Sequence, residues 1–447
     1  MSGTGLHTTT DFYLISCKIL GSSGQLFELR DVLIELVLFE DLFAFGISGK
    51  LIINDSINLI NVMQLHGFEQ LILKFDKPGF NLPIEKKFRV TNITNRTQTS
   101  FQNENYIINF CTEELLLNEQ YKISKSFINK KVSEVAKTIF NEYLKIYQNL
   151  EIDETTGLRD IIIPGFKPVQ ALMWLCTFAI PEGAKQIGAP YVCYENKEGF
   201  KFKSILKLFQ QEVYKTYFYE PKGLKSKQNP FLTDFNKELV NILRYEHIKV
   251  FDSISAARCG MFKNKLVTID PLRLKFGEKE FKYDSYFEEA QSLESEKLNI
   301  SKHNRLGETL QDSINVQKFA ITTTGQPDNP YIKSKGIRIN ENKIEDTLPY
   351  RTAQIALFTA HRIKLLIPGD SDMHVGLVVK LKIPEISPDE NKQKQADKFF
   401  AAKYLVTAVR HTLDHQGQFF TLIEVCKESL PNSQASYDNT NSIFAGF

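Results

Sequence analysis

Few residues in this sequence are arranged for chemistry of the familiar kinds. Six cysteines in 447 residues stand alone at 17, 111, 176, 193, 259 and 426, with neither CxxC nor metal-type spacing. Such isolation argues against a disulfide-built scaffold and predicts small buried hydrophobes in a protein made in a reducing cytoplasm. No apolar run approaches the ~18 residues that a membrane-crossing helix needs, so stable membrane insertion is not expected. The opening MSGTGLHTTT lacks the charged and apolar regions of a secretory signal. Formal net charge is only +2, without the clustered basic excess of a general nucleic-acid or polybasic membrane binder. Tryptophan occurs once, at Trp174, in a stretch that reads as a buried helix rather than an aromatic binding platform.

Catalytic patterns are missing as well. There is no GxSxG, no HExxH, no phosphate-binding loop and no cysteine–histidine arrangement. GSSGQ at 21–25 is glycine-rich, but neither a lysine nor a helix start follows, so it reads as a hairpin loop. His411 and His415 stand four apart, a spacing that aligns two ligands only on a helix; here it falls in a hairpin turn and assigns no zinc site. Asp370 and Asp372 in GDSDMH lack the later ligands of a calcium loop and read as a solvated turn. Asn92-Ile-Thr and Asn95-Arg-Thr match the glycosylation sequon, which means nothing without secretion. Glu113 and Glu114, with Glu69, read as surface charge at strand ends rather than as paired carboxylates. The sequence therefore assigns no catalytic, cofactor-binding or metal residue, and no enzyme activity is expected.

What is present is β-pattern, and it is written twice. KFRVTNITNRTQTSFQNENYIINFCTEELL begins at Lys87, and KYLVTAVRHTLDHQGQFFTLIEVCKESL begins at Lys403. Both open with an aromatic, a Val-Thr pair and a branched residue two places later. Both return through a polar turn to a run ending Cys-x-Glu. Upstream of the first copy, DVLIELVLF, KLIINDS and FEQLILKF alternate with period two, and Gly67 precedes the last of these. Upstream of the second, VGLVVKLKIPEI alternates after Gly376. Equivalent core positions are expected at Val90, Ile108 and Phe110 in one copy and at Val406, Ile423 and Val425 in the other.

Between the copies the pattern changes. KVSEVAKTIFNEYLKI, 131–146, places Val132, Val135, Ala136, Ile139, Phe140, Tyr143 and Leu144 on one helical stripe. GFKPVQALMWLCTFAI predicts a second helix with Pro168 in its first turn, packing Trp174 beneath the first helix. PYVCYENKEGFKFKS reads as a hairpin. At about 150 residues per domain, the length suggests roughly three domains. The division expected is a first β-barrel at 8–116, an α+β domain at 117–225, a strand-rich connecting domain at 226–345 that partly completes the second barrel, the second β-barrel at 346–430, and a tail at 431–447. The fold class is mainly β with α+β, two duplicated antiparallel barrels carrying smaller α+β and insert domains.

In this order the phrases resemble a known family. ELRDVLIELVLFEDLFAFGISGKLIINDS, LHGFEQLILKF, FRVTNI with YIINFCTEEL, SFINKKVSEVAKTIFNEYL, YVCYENKEGFKFKSILKL, GMFKNKLVTIDPLRLKF, IKLLIPGDSDMHVGLVVKLKIP and YLVTAVRH with TLIEVCKES are similar to the baseplate central hub protein of contractile-tailed, T4-like bacteriophages. The hub part of type VI secretion spike proteins is related. The resemblance spans about residues 10–430 and implies two tube-type barrels per chain in a homotrimeric, pseudo-sixfold ring, a symmetry adaptor between a hexameric tail tube and a trimeric cell-puncturing spike. Partners implied are the tail tube protein, a separate spike protein, and baseplate wedge and tape measure proteins, with DNA only in transit through the lumen. The place implied is the virion tail baseplate, after synthesis in the host bacterial cytoplasm; no cofactor is implied. The alternative is a cell-wall carbohydrate-binding module or an unrecognised tail-associated enzyme. The tail residues Ile443, Phe444 and Phe447 are expected to anchor a partner.

Overall fold

The computed structural model of the chain describes residues 13–21, 24–76, 84–183, 188, 190–219, 238–250, 252–271, 274–289, 308–321, 344–384, 397 and 400–428. The predicted tail anchors at 443, 444 and 447 lie outside the described residues. The first stretch forms strands β1 (Tyr13–Leu20), β2 (Leu26–Glu28), β3 (Leu33–Asp41), β4 (Ser48–Asp55), β5 (Gln70–Asp76), β6 (Ile84–Gln98) and β7 (Glu104–Cys111). Next come β8 (Ile123–Lys130), β9 (Leu150–Ile152), β10 (Arg159–Phe166), β11 (Tyr191–Asn196) and β12 (Gly199–Ser204). The remaining strands are β13 (Val213–Phe218), β14 (Arg244–Lys249), β15 (Lys263–Asp270), β16 (Lys275–Lys282), β17 (Val316–Ile321), β18 (His361–Pro368), β19 (Val378–Lys382), β20 (Lys403–Asp414) and β21 (Phe419–Lys427). The molecule is mainly β, and its largest element is a 13-stranded sheet.

The repeated sequence folds as a repeated hairpin in one register. Val90 lies opposite Phe110 and Ile93 opposite Ile108 in β6–β7; Val406 lies opposite Val425 and Val409 opposite Ile423 in β20–β21. Each first strand carries a one-residue bulge at the same point, at Thr91 and at Thr407. A bulge leaves a residue unpaired and bends its strand. In both copies the bulge threonine hydroxyl satisfies itself across the hairpin, Thr91 Oγ1 on the Asn109 carbonyl at 3.0 Å and Thr407 Oγ1 on the Glu424 carbonyl at 3.2 Å. The Val-Thr pair is thus a core valine followed by a bulge. Val90, Ile108, Phe110, Val406, Ile423 and Val425 are all buried.

Each hairpin sits in an equivalent sheet. β6–β7 continues through β4 to β3 on one side and through β5 to β1 and β2 on the other. β20–β21 continues through β18 to β14, and through β19 to β13. Gly67 and Gly376 both take a positive φ, +81° and +90°, just ahead of β5 and β19, a conformation that only glycine adopts freely. The correspondence breaks at the next strand. β1 runs antiparallel to β5, whereas β13 runs parallel to β19. Sequence placed β13 within 117–225, yet Tyr217 joins the core of Ile363, Leu365, Val378 and Val406.

Between the sheets, β8 pairs with β10, and β9, β12 and β11 form a three-stranded sheet. The helix Val132–Glu142 buries Val132, Val135, Ala136, Ile139 and Phe140, as its stripe predicts. It ends earlier than expected, because Tyr143 caps it and Lys145 turns with φ 59°. The helix Pro168–Leu175 starts on its proline. Trp174 differs from expectation in being only half-buried: its ring lies against Phe166 at 5.6 Å and Phe178 at 4.8 Å, on the edge of the core to which the first helix contributes Val132, Val135, Ala136, Ile139 and Phe140. A fourth core lies in the insert, where β16, β15 and β17 form a sheet and Tyr350, Ala353 and Leu357 of the helix Leu348–Phe358 pack against Phe281 and Tyr286.

Candidate assembly site

The two equivalent sheets are joined by one strand. β20 is 12 residues long, and its first residues, 403–405, pair with β19 while residues 408–414 pair with β3. The bulge at Thr407 marks the change of partner. There the Leu42 amide donates to the Thr407 carbonyl at 2.8 Å, fixing the end of β3. Leu413 and Phe419 belong to the first sheet's core, although they come from the second hairpin.

A buried polar seam lies beside this join. Glu195, at the end of β11, accepts the Ile47 amide at 2.9 Å and pairs with Lys86 of β6 at 2.9 Å. Lys86 also donates to the Asn196 carbonyl at 2.8 Å, and the Asn196 amide meets His374 Nδ1 at 3.0 Å. Glu40 of β3 accepts the Val375 amide at 3.1 Å. Burial pushes the Glu40 carboxyl up to about 7, against the smaller opposing pull of Lys86. Lys197 pairs with Asp372 and donates to the Ser371 carbonyl at 3.2 Å. Residues from both sheets and from the β11–β12 hairpin therefore hold one another through charge-assisted bonds, the strong class.

Two sequence readings need correction here. Asp370 is buried, not solvated: Lys215 Nζ lies 2.6 Å from it, the Tyr214 and Tyr217 hydroxyls donate to it at 3.2 and 3.3 Å, and the Asp372 amide donates at 3.0 Å. A charge can be buried when such donors replace water. Glu69 is likewise buried, receiving the His66 and Gly67 amides at 2.6 and 3.0 Å. Glu113 is exposed and pairs with Arg89; burial raises the Glu114 carboxyl. Of the histidine pair, His411 is buried between Thr421 Oγ1 and the Met373 carbonyl, both at 3.1 Å, and His415 is exposed in the turn. Burial pushes His411 down to about 4. Among the described residues no group of three or more His, Cys, Asp or Glu could hold a metal ion.

A cleft of about 380 Å³ opens beside the seam, lined by Lys86, Glu114, Lys145, Glu195, Lys197 and Glu198 among others. Its carboxylates Glu195 and Glu198 are tied to Lys86 and Lys201, each at 2.9 Å. The half-buried lysine and its buried carboxylate partner are not legible locally because they lie far apart in sequence, with Lys86 and Glu195 separated by 109 residues.

Comparison with known proteins agrees with this architecture. No protein-family model matches the chain. A probable baseplate hub protein of Vibrio phage KVP40 is 21% identical over 395 residues, covering 86% of this chain and 88% of that protein. Two solved structures share the fold across nearly the whole length. The tail protein of Neisseria meningitidis MC58 has a TM-score of 0.53 at 10% identity, covering 94% of this chain and 97% of that one. The 43 kDa tail protein of prophage MuSo2 from Shewanella oneidensis has a TM-score of 0.51 at 9% identity, covering 92% and 98%. The chain is similar in sequence, over most of its length, to a probable phage baseplate hub protein, and in fold to two tail proteins.

Proposed function

We propose that this chain is a structural baseplate hub of a contractile phage tail, without catalytic activity. It assembles as a homotrimer whose six similar barrels form a pseudo-sixfold ring, matching a hexameric tail tube on one side and a trimeric spike on the other. The observation that carries this reading is the duplicated hairpin, bulge for bulge, with the two copies joined side by side through β20 and β3. A chain holding two equivalent sheets in a row presents six when three copies close a ring by heterologous contacts. Support also comes from the likeness to a phage baseplate hub protein.

The proposed division keeps a first barrel at 8–116, an α+β domain at 117–225 that lends β13 to the second barrel, a connecting domain at 226–345 that lends β14, the second barrel at 346–430 and a tail at 431–447. Partners are the tail tube and a separate spike protein, with wedge and tape measure proteins as further contacts and DNA in transit. The protein is placed in the virion baseplate after synthesis in the host cytoplasm. Light scattering of the purified chain, alone and with its spike, together with low-resolution imaging, tests the reading. Closed trimers with six lobes are expected. A chain that stays monomeric in both conditions while binding cell-wall glycan would overturn it.

A further inference from the structure

The duplicated sheets are alike in the core and unlike at one edge. β6 pairs with β7 through residues 89–98, and with β5 only through residues 84–89. Its second half, 91–98, has no strand against its outer edge among the described residues, and its side chains are exposed or half-buried. The equivalent half of β20, 407–414, is covered by β3, and there Thr407, Val409, His411 and Leu413 are buried. At the opposite end of the sheet β14 pairs with β18 alone among the described strands.

Register identifies β14 as the counterpart of β3. Gly49 and Leu51 of β4 lie opposite Phe110 and Ile108, as Ile363 and Leu365 of β18 lie opposite Val425 and Ile423. Leu38 lies opposite Gly49, and His247 opposite Ile363. One copy of the chain therefore covers one of two equivalent edges with its own β3. It leaves the other edge bare, and it displays one spare strand of the kind that does the covering. Uncovered sheet edges recruit strands, and strand addition is a recurrent mode of recognition.

A second feature fits the two bare edges to each other. Relative to β20, β6 carries one extra residue between Thr94 and Thr97. Relative to β3, β14 carries one extra residue between His247 and Lys249. In the join already present, Thr412 lies opposite Val37 and Arg410 opposite Phe39. Carried over to the bare edges, this register sets Thr97 opposite Glu246 and Thr94 opposite Lys249. The two extra residues then face one another, and both strands span the interval with the same number of residues. Either insertion alone would throw the pairing out of step by one and turn the following side chains to the wrong face.

We propose that β14 of one copy adds antiparallel to residues 91–98 of β6 in the next copy, repeating between chains the β20–β3 join made within each chain. The partner is a second copy of this chain. This contact rests on the ring reading above, and it names the residues through which the ring closes.

Disulfide trapping on the full chain tests it. In a Cys259→Ser background, which removes the exposed cysteine, Thr97→Cys with Glu246→Cys would place the two Cα atoms within the ~4.4–6.8 Å that a disulfide spans. Thr97→Cys with Arg244→Cys, two positions away, serves as the register control. All three positions, Thr97, Arg244 and Glu246, are exposed. Mild oxidation should give a covalent trimer from the first pair and at least tenfold less from the control. Hydrogen exchange of the unsubstituted chain should slow at 91–98 and 244–249 as concentration drives association. Trimers by light scattering without a preference for the first pair, or without that protection, would overturn this contact while the ring reading stood. A chain monomeric at every concentration, and with its spike, would overturn both.

Discussion

The two barrels fill equivalent core positions with different volumes, and that difference is testable. In the first, Gly49 of β4 lies opposite Phe110 of β7; in the second, the same pair is Ile363 opposite Val425. A Cβ at Gly49 would stand 2.4 Å from Phe110 Cζ and 2.5 Å from the Val37 carbonyl oxygen. The glycine is therefore the space that the phenylalanine ring occupies. Gly49→Ala should cost about 1–3 kcal/mol as overpacking. Phe110→Val removes most of a ring that is only 2% exposed, at about 2–4 kcal/mol for lost burial and residual cavity. Combined, the new methyl enters space the ring has left, although the Val37 carbonyl still opposes it. The double variant should cost less than the sum by about 1 kcal/mol, outside the roughly 0.3–0.5 kcal/mol scatter of independent sites. Hydrogen exchange read on peptides covering 48–55 and 104–111 reports the local opening free energy directly, with about tenfold faster exchange for each 1.4 kcal/mol lost. Strict additivity, or native protection in Gly49→Ala, would refute the reasoning.

Four further outcomes follow from the buried charges and the single tryptophan. Lys86→Met leaves Glu195, 5% exposed, without its counter-charge and should cost about 3 kcal/mol; adding Glu195→Gln should restore most of the melting temperature, and a single variant as stable as the native chain would discount the seam. Glu40 has a folded pKa of about 7 against an ordinary 4.5, so the unfolded chain releases its proton first and Glu40 lowers stability as pH rises from 4.5 to 7. Glu40→Gln, which keeps an acceptor for the Val375 amide, should therefore melt higher at pH 8 and unchanged at pH 4; an equal gain at both would reject burial as the cause. His361 and His411 have folded values of about 4 below the ordinary 6.5, so their contribution is lost as pH falls from 6.5 to 4, and replacing His411 with Asn should flatten that limb of a melting profile. Trp174 fluorescence should be quenched by acrylamide to a degree between those of free and fully buried tryptophan, and Phe166→Ala should increase it; complete shielding would contradict a half-buried ring.

Much of this fold is legible because local chemistry fixes it. Pro168 marks a helix start, the stripe from Val132 to Phe140 marks its buried face, and Gly67 and Gly376 mark backbone that other residues enter reluctantly. The Val-Thr pairs were readable as a repeat before their reason was visible, which is a bulge whose hydroxyl closes on the facing strand. Partnerships across long separations were not legible. Nothing near Asp370 in sequence announces Tyr214, Lys215 and Tyr217, 153–156 residues earlier, so a buried carboxylate read as a solvated turn. Nor does β13 carry a local mark of its place beside β19, since alternating residues fit either of two sheets.

The most informative residues are those at which the two copies stop agreeing. Up to the bulge, FRVT and YLVT are the same statement, because both must enter a core through the same hairpin. Beyond it, β20 continues TAVRHTLD with Val409, His411 and Leu413 buried under β3, while β6 continues TNITNRTQ with exposed polar residues and one extra position. A duplicated strand that had merely lost its neighbour would be free to drift in length. Instead the insertion in β6 is matched by one in β14 at the position that β3 occupies against β20. Two bare edges altered in step at corresponding points are what selection for mutual pairing would leave. The divergence of the copies therefore separates the contact each chain makes with itself from the contact it offers to another.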